Sequence, residues 1–156
     1  MQKKNPSLTE ILKILADVYE NKLPFNKVLG LRIDRLEPGN VRVVFDMKPE
    51  LVGNYVHGVL HGGVVSSVLD ATGGIVASIG VVEKLQTRPP DEIAQGISKV
   101  GTIDLRVDYL RPGLGKSFHA NGTVMRSGRK VTVVRMELHN DADKLIAVGT
   151  GTYIVG

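Results

Sequence analysis

The stretch from Asn54 to Val82 reads NYVHGVLHGGVVSSVLDATGGIVASIGVV and decides how the chain folds. It begins as a loop, tightens into a His-Gly-Gly turn at residues 61–63, and continues as small and apolar residues that predict one long helix. Between Gly62 and Val82 the only ionisable residue is Asp70. A carboxylate among apolar residues is costly to bury, so we expect Asp70 to have a polar partner, a bound proton or a catalytic role.

The chain before this stretch predicts a helix, a short helical turn and a pair of strands. Ser7-Leu-Thr-Glu10 has the spacing of a capping box, and apolar residues at intervals of three and four predict an amphipathic helix over about residues 7–21. Residues 24–30 fit another turn of helix that ends at a glycine. Residues 31–36 and 41–47 alternate around a Pro-Gly-Asn turn, which is typical of two paired strands.

The chain after this stretch predicts a surface excursion followed by strands. Residues 83–100 contain a Pro-Pro pair, which favours an excursion or lid, with a short helix through Ile93 and Ile97. Beyond it, apolar and polar residues alternate with period two between turn-forming residues. The pattern predicts a four-stranded antiparallel meander, with strands at residues 103–109, 117–126, 130–140 and 144–155.

Together these elements predict an α+β fold. One long central helix is wrapped by a curved antiparallel sheet of roughly six strands, and an extra helix precedes them. The length of 156 residues suits a single domain over residues 1–156, with its main core over about residues 31–156. The composition, 42% hydrophobic and 23% charged, is that of an ordinary soluble protein, and the absence of cysteine excludes a disulfide scaffold or a thiolate site.

We expect neither a membrane span nor a nucleic-acid partner. The start of the chain lacks the apolar segment of a secretory signal, so we expect a short polar tail there. Residues 59–82 are the only candidate span, and Asp70 near their centre would cost roughly 2.5–3.5 kcal/mol. The net charge of +4 is scattered, and a phosphate-bearing small molecule explains it as well as nucleic acid would. We expect a soluble, cytoplasmic protein.

The start of the long helix is a candidate binding site. A helix that opens at Gly62 presents unpaired backbone N–H groups, which favour an anion or a developing oxyanion, and the glycines allow close approach. Asp70 lies eight residues further on, about 12 Å along the axis. If both groups act on one substrate, they must come from different subunits whose long helices are antiparallel. The small residues that would allow such close packing are Ala71, Gly73, Gly74 and Ala77.

Structural explanations for the same residues remain open. The glycines could form only a tight junction between loop and helix, and Asp70 could be hydrogen-bonded to Ser66, to Thr72 or to a neighbouring strand. His57 and His61 could equally be structural, and no carboxylate lies at ligand spacing from them, so no metal site is predicted. The basic turn at residues 126–130 is typical of a solvated hairpin end, although it could also grip phosphate.

Two segments carry a resemblance to a known family: LHGGVVSSVLD at residues 60–70 and GTIDLRVDYLRP at residues 101–112. They resemble the hotdog-fold acyl-CoA thioesterases of the phenylacetate-degradation (PaaI) type. Over nearly the whole chain, the sequence is similar to the bacterial YigI branch of medium- and long-chain acyl-CoA thioesterases. The resemblance implies the hotdog fold and hydrolysis of medium- to long-chain acyl-CoA to a free fatty acid and coenzyme A.

The resemblance also implies roles for individual residues. Asp70 matches the family's nucleophile or general base, and the choice between these roles stays open. His61 and Gly62 match the turn whose backbone N–H binds the oxyanion. Many members carry an asparagine before this turn. Asn54 is the candidate, one residue further from His61 than in relatives, and His57 or Tyr55 is the alternative. The proposed contacts to substrate and its phosphates are Gly63, Arg111, Arg126, Arg129 and Lys130.

The remaining expectations follow from the same resemblance. Coenzyme A is part of the substrate, so no cofactor and no metal are implied. Family active sites lie at a dimer interface, which implies a homodimer with shared sites or a dimer of dimers. Two rival functions keep the fold: a non-catalytic acyl-CoA or lipid-binding module, and a hotdog dehydratase or hydratase, which pairs a catalytic histidine with an acid at other spacings.

Overall fold

The computed structural model describes residues 6–156, so the predicted polar tail at the very start of the chain lies outside the described residues. These residues contain four α-helices, and a π-helical turn at Val18–Lys22 continues the first of them. The helices are α1 (Leu8–Asp17), α2 (Pro24–Leu29), α3 (Gly62–Leu85) and α4 (Pro90–Ser98). The strands are β1 (Arg32–Glu37), β2 (Asn40–Asp46), β3 (Val52–Asn54), β4 (Val59–Leu60), β5 (Gly101–Tyr109), β6 (Ser117–Ser127), β7 (Val131–Asn140) and β8 (Leu145–Ile154).

The N-terminal helices follow the predicted signals. Ser7 caps α1, because its Oγ accepts the Glu10 N–H at 3.3 Å while the Glu10 carboxylate accepts the Ser7 N–H at 2.7 Å. The predicted helix over residues 7–21 is therefore confirmed as α1 and its π-helical turn. Gly30 ends α2 with φ of +72°, a left-handed conformation that suits glycine.

Six strands form one antiparallel sheet in the order β1-β2-β6-β7-β8-β5, as predicted in number and direction. The predicted meander is wrong for its first strand, because β5 pairs with β8 and lies at the opposite edge of the sheet from β1. The Arg-Pro-Gly segment after β5 does not form a hairpin. It crosses the end of the sheet, where the Arg111 N–H donates to Ile146 O and the Met47 N–H donates to Lys116 O.

Helix α3 packs across one face of this sheet and forms the centre of the core. The sheet contributes a row of buried apolar side chains, including Phe45 and Phe118, whose rings stack at 5.2 Å. Gly122 of β6 allows close contact, since a Cβ there would lie 2.8 Å from Val76 Cγ2 of α3. By length and hydropathy α3 could cross a membrane, yet most of it is buried as a core helix.

The segment after α3 is more ordered than the predicted excursion. Helix α3 continues to Leu85, and α4 then folds back so that the predicted short helix is present. Ile93 of α4 is buried against Val82 of α3 and Ile11 of α1. This segment is therefore a packed helix rather than an open loop.

The small residues of α3 make contacts within the chain. A Cβ at Gly73 would lie 2.5 Å from Cζ and 2.8 Å from Cε2 of Tyr153, and closer still to its hydroxyl. A Cβ at Gly74 would lie 3.3 Å from the Tyr19 hydroxyl, and Ala77 is fully buried. The expectation that these residues face a second helix is therefore wrong for Gly73 and Ala77, because tyrosine and core packing occupy that space.

This packing predicts opposite effects for two glycine substitutions on one helix. Gly73→Ala should destabilise the protein by about 1–3 kcal/mol, because the methyl group overpacks the nearly fully buried Tyr153. Gly80→Ala should stabilise it by about 0.5–1 kcal/mol, because a Cβ there meets nothing within 4 Å and alanine favours the helix. Urea unfolding of both variants measures the difference, and equal stabilities would contradict the Tyr153 contact.

Candidate active site

The first turn of α3 presents one free backbone donor. His61 is the N-cap: its Nδ1 accepts the Gly63 N–H at 2.8 Å, and its carbonyl accepts the Val64 N–H at 2.9 Å and the Val65 N–H at 3.2 Å. Because Nδ1 accepts, a neutral His61 ring carries its proton on Nε2. Within the described residues the Gly62 N–H has no hydrogen-bond partner. The positive end of the helix dipole is therefore available at Gly62.

The turn before α3 is held rigidly from two sides. The His61 N–H donates to Leu51 O at 2.8 Å, and a Cβ at Gly53 would lie 2.6 Å from the His61 Cα, so Gly53 permits this approach. On the other side, the Tyr109 hydroxyl donates to the Gly62 carbonyl at 2.9 Å. These contacts hold the peptide groups on either side of the one that carries the Gly62 N–H.

A cavity of about 800 Å³ opens in front of Gly62, and its wall includes Asn54, His57, Tyr109 and Arg111. The Asn54 side-chain oxygen accepts the Val56 N–H at 3.1 Å and the His57 N–H at 3.3 Å, so this residue orders the preceding loop. Arg111 donates through Nη1 to Leu145 O at 2.9 Å, and its remaining N–H groups can serve a ligand. The N–H of Gly63 is already used by His61.

Asp70 lies half-buried on α3 and is held by two strands. Its Oδ1 accepts hydrogen bonds from Thr102 Oγ1 at 2.9 Å and from the Tyr153 hydroxyl at 3.2 Å. Burial raises the pKa of Tyr153 well above its ordinary value, and the Asp70 charge adds to the effect, so Tyr153 stays protonated and donates. Of the structural alternatives, the neighbouring strand is the observed one, since Ser66 and Thr72 bond to backbone carbonyls of α3.

Thr102 and Tyr153 were not identified from the sequence. The register of β5 against β8 shifts between Thr102 and Asp104, so a simple alternation of faces fails at the start of β5. Thr102 and Tyr153 are directly paired across the two strands. Only this non-local pairing places both hydroxyls at Asp70.

Asp70 opens into a second cavity, of about 230 Å³, whose wall includes Tyr19, Leu23, Phe25 and Thr102. It shares no lining residue with the cavity at Gly62. Both sites lie on the continuous helix α3, and their offset of eight positions corresponds to about 12 Å along the axis. A single chain thus carries two candidate half-sites that do not meet: Gly62 with its cavity, and Asp70 with its cavity.

The basic hairpin lies away from both half-sites. Arg126, Arg129 and Lys130 line a cavity of about 280 Å³ between β6 and β7. This hairpin lies beside the C-terminal end of α3, where Lys84 Nζ donates to Gly128 O at 2.7 Å. Of the predicted phosphate contacts, only Arg111 therefore lies at a half-site. Among residues 6–156, no group of three or more His, Cys, Asp or Glu side chains is arranged to hold a metal ion.

Comparison with known proteins agrees with the fold. The profile of the Thioesterase superfamily matches residues 57–147, more than half of the chain. The medium/long-chain acyl-CoA thioesterase YigI of Salmonella typhimurium is 43% identical over 94% of this chain and 95% of its own. YigI of Escherichia coli is 42% identical over the same shares.

A solved structure is also similar to this chain over nearly its whole length. The crystal structure of a thioesterase-superfamily-related protein from Shewanella oneidensis has 48% sequence identity and a TM-score of 0.92, and it covers 98% of this chain and 100% of that chain. The residues matched by the profile of the Thioesterase superfamily include the start of α3, Asp70 and the whole of β5. The resemblance seen in the sequence and the predicted hotdog fold are confirmed, and the chain belongs to the thioesterase superfamily.

Proposed function

We propose that this protein hydrolyses acyl-CoA thioesters of medium to long chain to a free fatty acid and coenzyme A. The observation that carries the proposal is the pair of half-sites on α3: a free N–H at Gly62 and a hydrogen-bonded carboxylate at Asp70. The activity named for the YigI relatives, at 42–43% identity, supports the same substrate class.

We propose that the two half-sites combine in a homodimer formed through β5. No strand within residues 6–156 pairs with the outer side of this nine-residue strand, and pairing with a second copy would satisfy the backbone groups along it. A two-fold axis between Leu105 and Arg106 would place Thr102 opposite Tyr109 of the partner subunit. Because Thr102 contacts Asp70 and Tyr109 contacts Gly62, the symmetry brings carboxylate and donor together. A dimer of dimers is compatible with this arrangement.

The chemistry follows from the geometry of such a shared site. The thioester carbonyl oxygen accepts the Gly62 N–H of one subunit, and the dipole of α3 stabilises the negative charge that develops on it. Asp70 of the other subunit, oriented by Thr102 and Tyr153, attacks the carbonyl carbon or removes a proton from an attacking water. The carbon–sulfur bond then breaks, and coenzyme A leaves as its thiolate and takes up a proton. If water attacked, the fatty acid forms in the same step; if Asp70 attacked, water must then hydrolyse the acyl-aspartyl anhydride, which releases the fatty acid and restores the carboxylate.

The other predicted residues have supporting roles in this proposal. His61 fixes the first turn of α3, and Asn54 orders the loop at the mouth of the Gly62 cavity. Arg111 is the favoured contact for a coenzyme A phosphate because it lines that cavity. Arg126, Arg129 and Lys130 remain a second phosphate surface in this proposal. The substrate brings the coenzyme A, so hydrolysis requires no separate cofactor, and we expect the enzyme to act in the cytoplasm.

Replacement of Asp70 tests the carboxylate directly. Asp70→Asn should lower kcat for dodecanoyl-CoA by about 100-fold to 10,000-fold, because the amide cannot act as nucleophile or base, whereas acyl-CoA binding should persist. The control is Asp91→Asn on the exposed face of α4, which should retain activity. A thiol-detecting assay measures release of coenzyme A.

The outcome also separates the rival functions. Full activity in Asp70→Asn would remove the proposed role of this residue. If the unsubstituted protein binds acyl-CoA and releases no thiol, it is a binding module. Loss or gain of the 2-enoyl chromophore without thiol release would identify a dehydratase or hydratase.

Replacement of Gly62 tests the oxyanion donor. Proline removes the N–H yet suits the first position of a helix, and the preceding His61 has the extended conformation (φ −63°, ψ 136°) that proline requires. Gly62→Pro should lower kcat by about 100-fold or more relative to Gly62→Ala. The alanine variant keeps the N–H, and its Cβ meets Tyr109 at an ordinary 3.4 Å. Circular dichroism checks the fold, and equal kcat values for the two variants would contradict the assignment.

A further inference from the structure

Two surfaces of the chain expose apolar side chains although hydrogen bonds fix the backbone that carries them. The first is the loop between β3 and β4, where Tyr55 is 91% exposed and Val56 is 68% exposed. Asn54 fixes this loop by accepting the N–H groups of Val56 and His57, and Gly58 closes it with φ of +62°. The loop therefore presents two apolar side chains to solvent in a defined position.

The second surface forms the rim of the Asp70 cavity. Leu23 is 38% exposed and Phe25 is 59% exposed, and both line that cavity. Their backbone is fixed by the buried Asn26, whose side-chain N–H donates to Tyr19 O at 3.0 Å, and by the left-handed cap at Gly30. The rim is thus a preformed apolar edge beside the candidate catalytic carboxylate.

The shared site of the proposed function brings these two surfaces together. The loop residues Asn54 and His57 line the same cavity as Gly62, so the loop lies beside the oxyanion donor. Leu23 and Phe25 line the cavity of Asp70. When Gly62 of one subunit faces Asp70 of the other, the loop of the first subunit reaches the rim of the second.

We propose that Tyr55 and Val56 of each subunit pack against Leu23 and Phe25 of the partner subunit and form an apolar clamp that encloses the acyl chain. This inference rests on the shared site of the proposed function. It adds the residues that select the acyl chain: the carbonyl lies between Gly62 and Asp70, and the methylene groups lie against the four clamp residues. Tyrosine and phenylalanine suit such a contact, because each buries a large area with few rotatable bonds.

The charge distribution of the loop favours a second copy of the chain over a lipid surface as its occupant. Residues 51–61, which include the exposed loop, contain no Lys, Arg, Asp or Glu. Docking on an anionic membrane requires basic residues around the apolar side chains, and the loop provides none. An uncharged apolar loop instead matches the centre of a protein interface, where charged residues are depleted.

Because the protein has no cysteine, directed cross-linking gives a clean test. The double variant Val56→Cys/Phe25→Cys should form a disulfide-linked dimer under mild oxidation, seen on a non-reducing gel, and each single variant should remain mostly monomeric on the gel. The matched control is Val56→Cys/Ile14→Cys, since Ile14 is 60% exposed on α1 and lies outside the rim. No cross-link in the first pair, a cross-link equal to that of the control, or a bond within one chain would overturn the clamp.

Acyl-chain selectivity gives an independent readout. Tyr55→Ala should lower the ratio of kcat/KM for dodecanoyl-CoA to kcat/KM for acetyl-CoA by about tenfold, because each buried methylene contributes about a fourfold factor and the acetyl group has no methylene to bury. Equal losses for both substrates would contradict a role in acyl selection. Flotation with phosphatidylglycerol vesicles that depends on Tyr55 would assign the loop to a lipid surface and also overturn the proposal.

The two proposals fail in distinguishable ways. Cross-linking requires no catalysis, so a linked dimer without thiol release by the unsubstituted protein would preserve the contact and reject the thioesterase function. Conversely, thiol release that depends on Asp70, with no cross-link in the Val56→Cys/Phe25→Cys variant, would preserve the function and reject the clamp.

Discussion

The geometry of α3 limits how Gly62 and Asp70 can act on one substrate. Asp70 lies eight positions after the free N–H of Gly62 on a continuous helix, about 12 Å along the axis. The oxygen and carbon of a carbonyl are only about 1.2 Å apart, so a donor to the oxygen and a group acting on the carbon must lie close together. One chain cannot meet this requirement with these two groups. A second copy with an antiparallel α3 can meet it.

Other features of the fold position the two groups for such an assembly. Strand β5 lies at a sheet edge and runs beside α3, with Thr102 at Asp70 and Tyr109 at Gly62. Two tyrosines therefore position the two groups: the Tyr109 hydroxyl donates to the Gly62 carbonyl at the start of α3, and the Tyr153 hydroxyl donates to the Asp70 carboxylate. The absence of a Cβ at Gly73 lets Tyr153 reach Asp70. The helix glycines that looked like packing space for a second helix thus serve in part to place the catalytic candidate.

Local signals in the sequence predicted the local structure well. The capping box of α1, the glycine that ends α2 and the opening of α3 at Gly62 each depend on a few neighbouring residues, and each is present. The family resemblance predicted the fold, and the two half-sites lie on the helix that the first pattern indicated. Asp70 also has the polar partners that a carboxylate in an apolar helix requires.

Features that depend on distant strands were harder to predict. The place of β5 beside β8 is set by which edges pair in the folded sheet, and the turn residues after β5 resemble those of a hairpin. Because the register shifts at Thr102, the alternation of apolar and polar residues does not predict which face of the sheet its side chain lies on. Tyr153 contacts Asp70 although 83 positions separate them in the sequence. The sequence also did not predict two features of the cavity at Gly62: the loop that Asn54 orders, and the distance between Arg111 and the basic hairpin.

If each active site takes Gly62 from one subunit and Asp70 from the other, two inactive variants should complement each other in a mixed dimer. Asp70→Asn and Gly62→Pro variants are unfolded together, refolded as a mixture and assayed for thiol release. Half of the dimers should be mixed, and each mixed dimer has one intact site, so about a quarter of the normal activity should return. A mixture that stays as inactive as its two components, although exchange of subunits is verified, would contradict the shared site.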